Sequence, residues 1–167
     1  MTTTHTIMDS PIGELTLVAN EGTLSGVYFP GHWTRPDPAS FGERSDLGFE
    51  AVEEQFAEYF AGVRANFELP ISRSGDGFQH KVWGLIEQIP YGETTTYGEL
   101  AKELGDASLA RAVGGAVGHN PVSVIVPCHR VVGKGGRLTG YAGGLERKRF
   151  LLELETEHGD GPRPALF

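Results

Sequence analysis

The hydrophobic pattern of this chain changes its period once, near residue 75, and that single change limits the folds open to it. Upstream, Thr4 to Met8, Leu15 to Ala19 and Leu24 to Phe29 are short runs rich in Val, Ile, Thr, Tyr and Phe, separated by Pro11-Ile12-Gly13 and Glu21-Gly22. Strand-prone runs so closely spaced by turn residues predict an antiparallel meander. Gly31 to Ser45, rich in Pro, Gly, Asp and Arg, reads as a surface loop. From Leu47 to Phe60, Leu47, Val52, Phe56 and Phe60 recur at helical spacing, and Asn66 to Ile71 reads as a last strand. Ser72 to Gly77 reads as a linker, which divides the chain into units at 1–74 and 75–167.

Downstream the period is helical. Phe78, Val82, Leu85, Ile86 and Ile89 share one helix face that ends at Pro90. Thr96-Tyr97-Gly98-Glu99 has the form of a capping box, so Thr96 is expected to cap a helix through Leu104. Gly105-Asp106-Ala107 breaks that helix, and Ser108 can cap another running to about Val117. Two short helices joined by a Gly-containing turn make a helix-turn-helix pattern. Val122 to Val126 is β-branched and buried in character, Gly133 to Gly144 holds six glycines, and Leu145 to Glu157 is an amphipathic helix. The expected fold class is α+β: a small antiparallel sheet with a helix, then a mostly helical unit carrying the helix-turn-helix.

With 39% hydrophobic residues the chain can build a core, and no run approaches the roughly 18 apolar residues of a membrane span. The start, Met1 to His5, has neither the basic nor the apolar part of a secretory leader. The net charge of −8 is unevenly placed: residues 1–76 carry −8, and residues 77–155 carry +1. Electrostatics alone would not suggest a polyanionic partner, although a near-neutral second half permits a local basic face.

The chain has one cysteine, Cys128, in Ile125-Val126-Pro127-Cys128-His129-Arg130-Val131-Val132. A lone thiol excludes an intrachain disulfide and a multi-cysteine metal site, and His5, His32 and His80 are too dispersed to suggest another metal site. Two roles remain: an inert buried side chain, or a nucleophile. His129 and Arg130 bring cationic groups that favour thiolate over thiol. Neighbours in an extended segment point to opposite faces, so Cys128 and His129 can cooperate only across a sharp turn or through a water. A free thiol fits a reducing compartment, and the cytoplasm is the expected location.

Pro127-Cys128-His129-Arg130-Val131, preceded by Gly118-His119-Asn120-Pro121, resembles the alkyl-acceptor signature of the O6-alkylguanine-DNA alkyltransferases. Ile89 to Tyr97 and Ala110 to Ala116 resemble the DNA-binding elements of that family, and the resemblance runs from about Phe78 to about Glu155. It implies direct, single-turnover transfer of an alkyl group from O6-alkylguanine, or O4-alkylthymine, to Cys128. No cofactor is implied, since the thiol is the nucleophile and the lesion carries its own leaving group. Double-stranded DNA bearing alkylated bases, bound through the minor groove, is the implied partner, and the protein is expected to be a monomer without membrane association.

The resemblance also implies roles for individual residues. A water links Cys128 to His129, and Glu155 orients that histidine; from spacing alone Glu155 reads as a solvated carboxylate. Tyr97, otherwise an ordinary packing residue, contacts the extruded guanine and supplies a proton. Arg111, otherwise a solvated charge, fills the gap the base leaves. Thr96, Ala112 and Gly114 lie on the DNA-contacting elements, and the small residues of the second helix fit either close helix packing or close approach to DNA. Asn120 acts as a hinge before the cysteine segment. Tyr141 and Ala142 belong to the loop that receives the O6 atom, where several relatives carry serine at the position of Ala142. Two rival functions remain: an alkyltransferase-like protein that binds lesions without transfer, whose members lack the acceptor cysteine, and a thiol hydrolase, for which no acyl-binding feature is evident.

Overall fold

The computed structural model describes residues 2–32 and 34–158. Residues 159–167 of the expected second unit lie outside the described residues. Strands β1 (Thr3–Met8), β2 (Leu15–Asn20) and β3 (Thr23–Tyr28) form the meander expected from the sequence. β1 and β2 pair antiparallel with Thr3 opposite Asn20 and Met8 opposite Leu15. At the β2–β3 turn, Glu21 and Gly22 both take positive φ, the backbone that a tight two-residue hairpin turn requires.

The segment 34–45 has more regular structure than its composition suggests. It contains a 3-10 turn at Pro38–Phe41 and a two-residue strand, β4 (Glu43–Arg44), that pairs parallel with β1 to give the order β3-β2-β1-β4. Phe41 stacks on Tyr28 at 5.4 Å and covers the outer sheet face. Leu15, Leu17 and Ala19 point to the opposite face, into the main core.

Helix α1 (Glu50–Phe60) starts later than the periodicity implied, because Gly48 takes φ 91° and interrupts the helix. Leu47 is consequently outside the helix and 81% exposed, while Val52, Phe56 and Tyr59 face the core. Asn66 to Ile71 is not a strand and touches the sheet only at a Leu24–Ile71 bridge. The Gln55 side chain of α1 instead bonds both backbone groups of Glu68, at 2.8 and 3.2 Å, and Pro70 has no N–H to donate.

Helix α2 (Gly77–Ile86) is capped by Asp76 in a reciprocal box with Gln79, and it ends one turn before Ile89, which is nevertheless buried. β5 (Thr95–Thr96) leads into α3 (Tyr97–Glu103), where Thr96 Oγ1 accepts from Glu99 N at 3.0 Å. Helix α4 (Ala110–Gly118) follows a 3-10 turn at Ala107–Leu109. That turn is capped by Asp106, not Ser108: the carboxylate accepts both the backbone N–H and the hydroxyl of Ser108. Helices α3 and α4 pack on each other as the helix-turn-helix requires. β6 (Val131–Val132) pairs parallel with β5, and α5 (Leu145–Glu157) closes the described chain.

One apolar cluster runs through both halves, from Leu15, Val27 and Phe56 to Trp83, Val113, Val126 and Leu151. Val27 N donates to Pro121 O at 2.9 Å, Thr34 Oγ1 donates to Gly118 O at 2.8 Å, and Trp83 Nε1 donates to Ala116 O at 2.9 Å. The meander therefore braces the end of α4 and the segment that leads to Cys128.

Candidate active site

Cys128 lies in a 3-10 turn, Cys128–Arg130, between the buried segment 122–127 and β6. The chain turns sharply here, which is the condition the sequence set for Cys128 and His129 to cooperate. Upstream, Val124 adopts φ 72° while 2% exposed. A β-branched residue in that region costs about 1–3 kcal/mol and persists only where its surroundings impose it. Asn120 imposes it here. Its amide nitrogen donates to Val126 O at 2.8 Å and its amide oxygen accepts from Val122 N at 3.0 Å, clamping the bend on which Val124 sits.

The thiol is 4% exposed. Burial raises its pKa, opposed by a hydrogen bond from Asn120, the charge of Lys148, a backbone hydrogen bond and a hydrogen bond with Tyr141. The expectation that His129 and Arg130 hold the thiolate is corrected on this point. Arg130 is buried and spends its charge on Glu155, with Nε to Oε1 at 2.8 Å and a second guanidinium nitrogen to Oε2 at 3.0 Å. Its remaining arm donates to Ile89 O at 2.7 Å. The cation that reaches the thiol is Lys148, and the resting group is a neutral thiol.

His129 is fully buried, and its Nε2 lies 2.7 Å from Glu155 Oε2. An ionised carboxylate only accepts hydrogen bonds, so Nε2 carries the proton and Nδ1 of the neutral ring is left as a base. Nδ1 has no protein hydrogen bond among the described residues. Burial lowers the His129 pKa; Glu155 raises it, and Arg130 and Lys148 lower it further. Burial alone would push the Glu155 carboxyl up, but His129 and Arg130 outweigh it and hold it well below the usual carboxylate range. Glu155 is thus 1% exposed and ionised, and the solvated carboxylate that spacing suggested is not what the fold makes of it. Two further donors complete its shell: Tyr59 Oη at 2.6 Å and Gly92 N at 3.3 Å.

Lys148 is buried on the same face of α5 as Glu155. Its ammonium donates to Val131 O at 2.6 Å and Thr139 O at 2.7 Å, and burial brings its pKa down to about 8 against the opposing charge of Cys128. Arg147 holds the adjacent loop from the other side, donating to Ile12 O at 2.7 Å and Gly143 O at 2.9 Å with its guanidinium 5.2 Å over Phe29. The glycine-rich stretch is thereby anchored at both ends. Tyr141 and Ala142 are buried within it, and a Cβ on Gly143 would strike the Phe29 ring.

Tyr97 Oη donates to Thr139 O at 3.2 Å and Gly140 O at 3.3 Å, and its ring lies 5.9 Å from the Lys148 ammonium. Burial raises its pKa, and the nearby Cys128 adds to the rise, so it remains a proton donor at neutral pH. Tyr97, Ala110, Arg111, Gly114, Thr139 and Gly140 line a cavity of about 470 Å³. Arg111 and Ala112 are exposed on α4. A Cβ on Gly115 would meet nothing within 4 Å, and one on Gly114 would only touch Tyr97 at 3.9 Å. Close helix packing is therefore not the reason for either glycine, and the outward side of α4 is a smooth strip beside the cavity.

Sequence reasoning missed Tyr59, Arg147, Lys148 and the pairing of Arg130. Lys148 and Glu155 left a signal: seven residues apart, they share one helix face with Leu151, and two charges in an apolar stripe are rarely solvated. Tyr59 left none. Among the described residues, no group of three or more His, Cys, Asp and Glu could hold a metal ion.

The site is a helix-turn-helix beside a buried thiol, with a neutral histidine oriented by a buried carboxylate. Residues 77–157 match the DNA binding domain of 6-O-methylguanine DNA methyltransferase, and residues 3–73 match its ribonuclease-like domain. Methylated-DNA–protein-cysteine methyltransferases of Mycobacterium bovis and Methanosarcina acetivorans are 47% and 45% identical to it over 156 and 152 residues, covering 89% and 90% of this chain and 89% and 97% of theirs. The crystal structure of Mycobacterium tuberculosis O6-methylguanine methyltransferase superposes with a TM-score of 0.86 at 41% identity, covering 98% of this chain and 96% of that one. The OGT of the same organism in complex with DNA gives 0.85 at 42% identity, covering 95% of each. The chain belongs to the 6-O-methylguanine DNA methyltransferase family.

Proposed function

We propose that this protein repairs DNA by moving the alkyl group of O6-alkylguanine onto Cys128, once per molecule. The observation that carries the reading is the buried Cys128 turn followed by a neutral His129 whose tautomer Glu155 dictates. A neutral thiol needs a base as the alkyl group arrives, and His129 Nδ1 is that base, acting through a bridging water. The S–C bond forms as the C–O6 bond breaks, and the electron pair of that bond passes to O6. Tyr97 gives a proton to the departing guanine ring, the proton taken from the thiol by His129 restores the phenol through solvent, and guanine and S-alkylcysteine result. A thioether does not hydrolyse, so turnover stops there.

DNA is the partner that the family and the exposed α4 strip support, approached from the minor groove through Thr96, Ala112 and Gly114. A stacked guanine keeps its O6 substituent out of reach of a buried thiol, so the base must leave the duplex. The cavity beside Tyr97 receives it, Arg111 occupies the gap, and Tyr141 and Ala142 contribute the loop against O6. Asn120 holds the bend that aims the thiol. The protein acts as a monomer in a reducing compartment, the cytoplasm, with its two units meeting near residue 75.

The test is intact-protein mass after incubation with duplex DNA carrying O6-methylguanine. Transfer adds one methyl group to the protein, located at Cys128 by peptide mapping, and Cys128→Ser gains none. An unchanged mass in the unmodified protein, or methyl transfer to the serine variant, refutes the mechanism.

A further inference from the structure

Glu155 receives one hydrogen bond from outside the second half of the chain, and it is the shortest in its shell. Tyr59, on α1 and 96 residues away in sequence, donates its hydroxyl to Oε2 at 2.6 Å, the oxygen that also faces His129. The ring is completely buried and wedged by Phe60 at 5.4 Å, Phe67 at 5.4 Å and Tyr91 at 6.3 Å, so the hydroxyl has little freedom to aim elsewhere. Burial and the Glu155 charge push the phenol pKa well above its ordinary value, so the oxygen keeps its proton and acts as the donor.

We propose that Tyr59 is a positioning residue for alkyl transfer, through which the first half of the chain sets the proton affinity of His129. This rests on the function proposed above and adds to it a contribution from a part of the chain that carries none of the acceptor motif. Oε2 shares its negative charge among His129, Tyr59 and Arg130, while Oε1 is held by Arg130 and Gly92. The charged and titratable groups facing this pair are Arg130 beside His129, Lys148 on α5, Tyr91 after α2, Tyr59 on α1 and Tyr141 in the glycine-rich stretch. Withdrawing the Tyr59 hydrogen bond leaves more of the Oε2 charge to act on His129 Nε2–H. That stabilises the imidazolium and makes the neutral base scarcer at a given pH.

The experiment is the pH–rate profile of methyl transfer to Cys128, followed by mass, for the unmodified protein and Tyr59→Phe. Phenylalanine keeps the ring packing and removes only the donor. A hydrogen bond to a charged group is strong enough to move a coupled pKa by about one unit, so the acid limb of the profile should move upward by roughly half to one pH unit, with the plateau rate retained. Replacing Tyr59 with 3-fluorotyrosine, a stronger donor of nearly the same shape, should move the limb downward and serves if the phenylalanine variant folds poorly. In a Glu155→Gln background, Tyr59→Phe should leave the limb where it is. An unshifted limb, a uniform loss at every pH, or an equal shift in the Glu155→Gln background overturns the proposal. Absence of transfer in the unmodified protein instead refutes the function on which it rests.

Discussion

Methylating Cys128 should destabilise the folded protein, and the structure gives the size of the effect. Cys128 is 4% exposed, with Val126 and Val131 fully buried in the same short stretch. Forcing one extra methyl into a packed site costs about 1–3 kcal/mol. The thioether also loses the S–H and carries a methyl group where its polar partners sit, weakening the hydrogen bonds with Asn120 and Tyr141. A net hydrogen bond is worth about 1 kcal/mol, which brings the expected cost to about 2–4 kcal/mol. For a chain of this length each kcal/mol moves the melting temperature by about 2–4 °C, so methylation should lower it by about 4–16 °C. The groups around Cys128 lie close to α3 and α4: Asn120 follows the end of α4, and Lys148 holds a carbonyl that Tyr97 also uses. The assay is calorimetry on matched samples, one fully methylated as verified by mass. A melting temperature that is unchanged or raised would show that the site has room for its product and that the packing argument is wrong.

Arg111→Ala should slow repair of duplex DNA by roughly 10–100-fold while leaving reaction with the free base O6-methylguanine within about twofold, because only a stacked base needs its place filled. Equal losses on the two substrates, measured by labelled methyl transfer, would assign Arg111 to the fold or the cavity instead. Glu155→Gln should destabilise the fold by about 3–5 kcal/mol, since it strands the Arg130 charge in the interior. The ionised Glu155 also makes stability pH-dependent. Its folded pKa lies below the unfolded value, so its contribution is complete above about pH 5 and is lost as pH falls toward the folded pKa. Urea melts from pH 7 to pH 3 should therefore show a steeper acid loss in the unmodified protein than in Glu155→Gln, and parallel slopes would refute the assignment.

Much of the chain is legible in its local pattern. The three-strand meander, the start of α3 at Thr96, the pairing of α3 with α4 and the extent of α5 follow from periodicity, turn residues and caps, which act over a few residues and so are written in sequence order. The motif around Cys128 is local too, and its resemblance to the family is what drew attention to His129 and Asn120. Where two local signals competed, the weaker one misled. Asp106 captured Ser108 in the 3-10 turn that precedes α4, and Gln55 satisfied the backbone of the segment read as a strand.

What the sequence by itself determined is the position of the single thiol, the order of the elements around it and the family to which they belong. What only the tertiary structure decided is the chemistry of that thiol's surroundings. Arg130 stands two residues from Cys128, yet its charge is absorbed by Glu155, while Lys148, twenty residues away, supplies the cation the thiol feels. Glu155 is a solvated carboxylate by spacing and a buried anion in the fold, receiving donors from α1, from the Cys128 turn and from the backbone after α2. Charge and hydrogen bonding depend on distance through space and on the water excluded along the way. Neither quantity exists until helices far apart in the chain have packed around the same few ångströms.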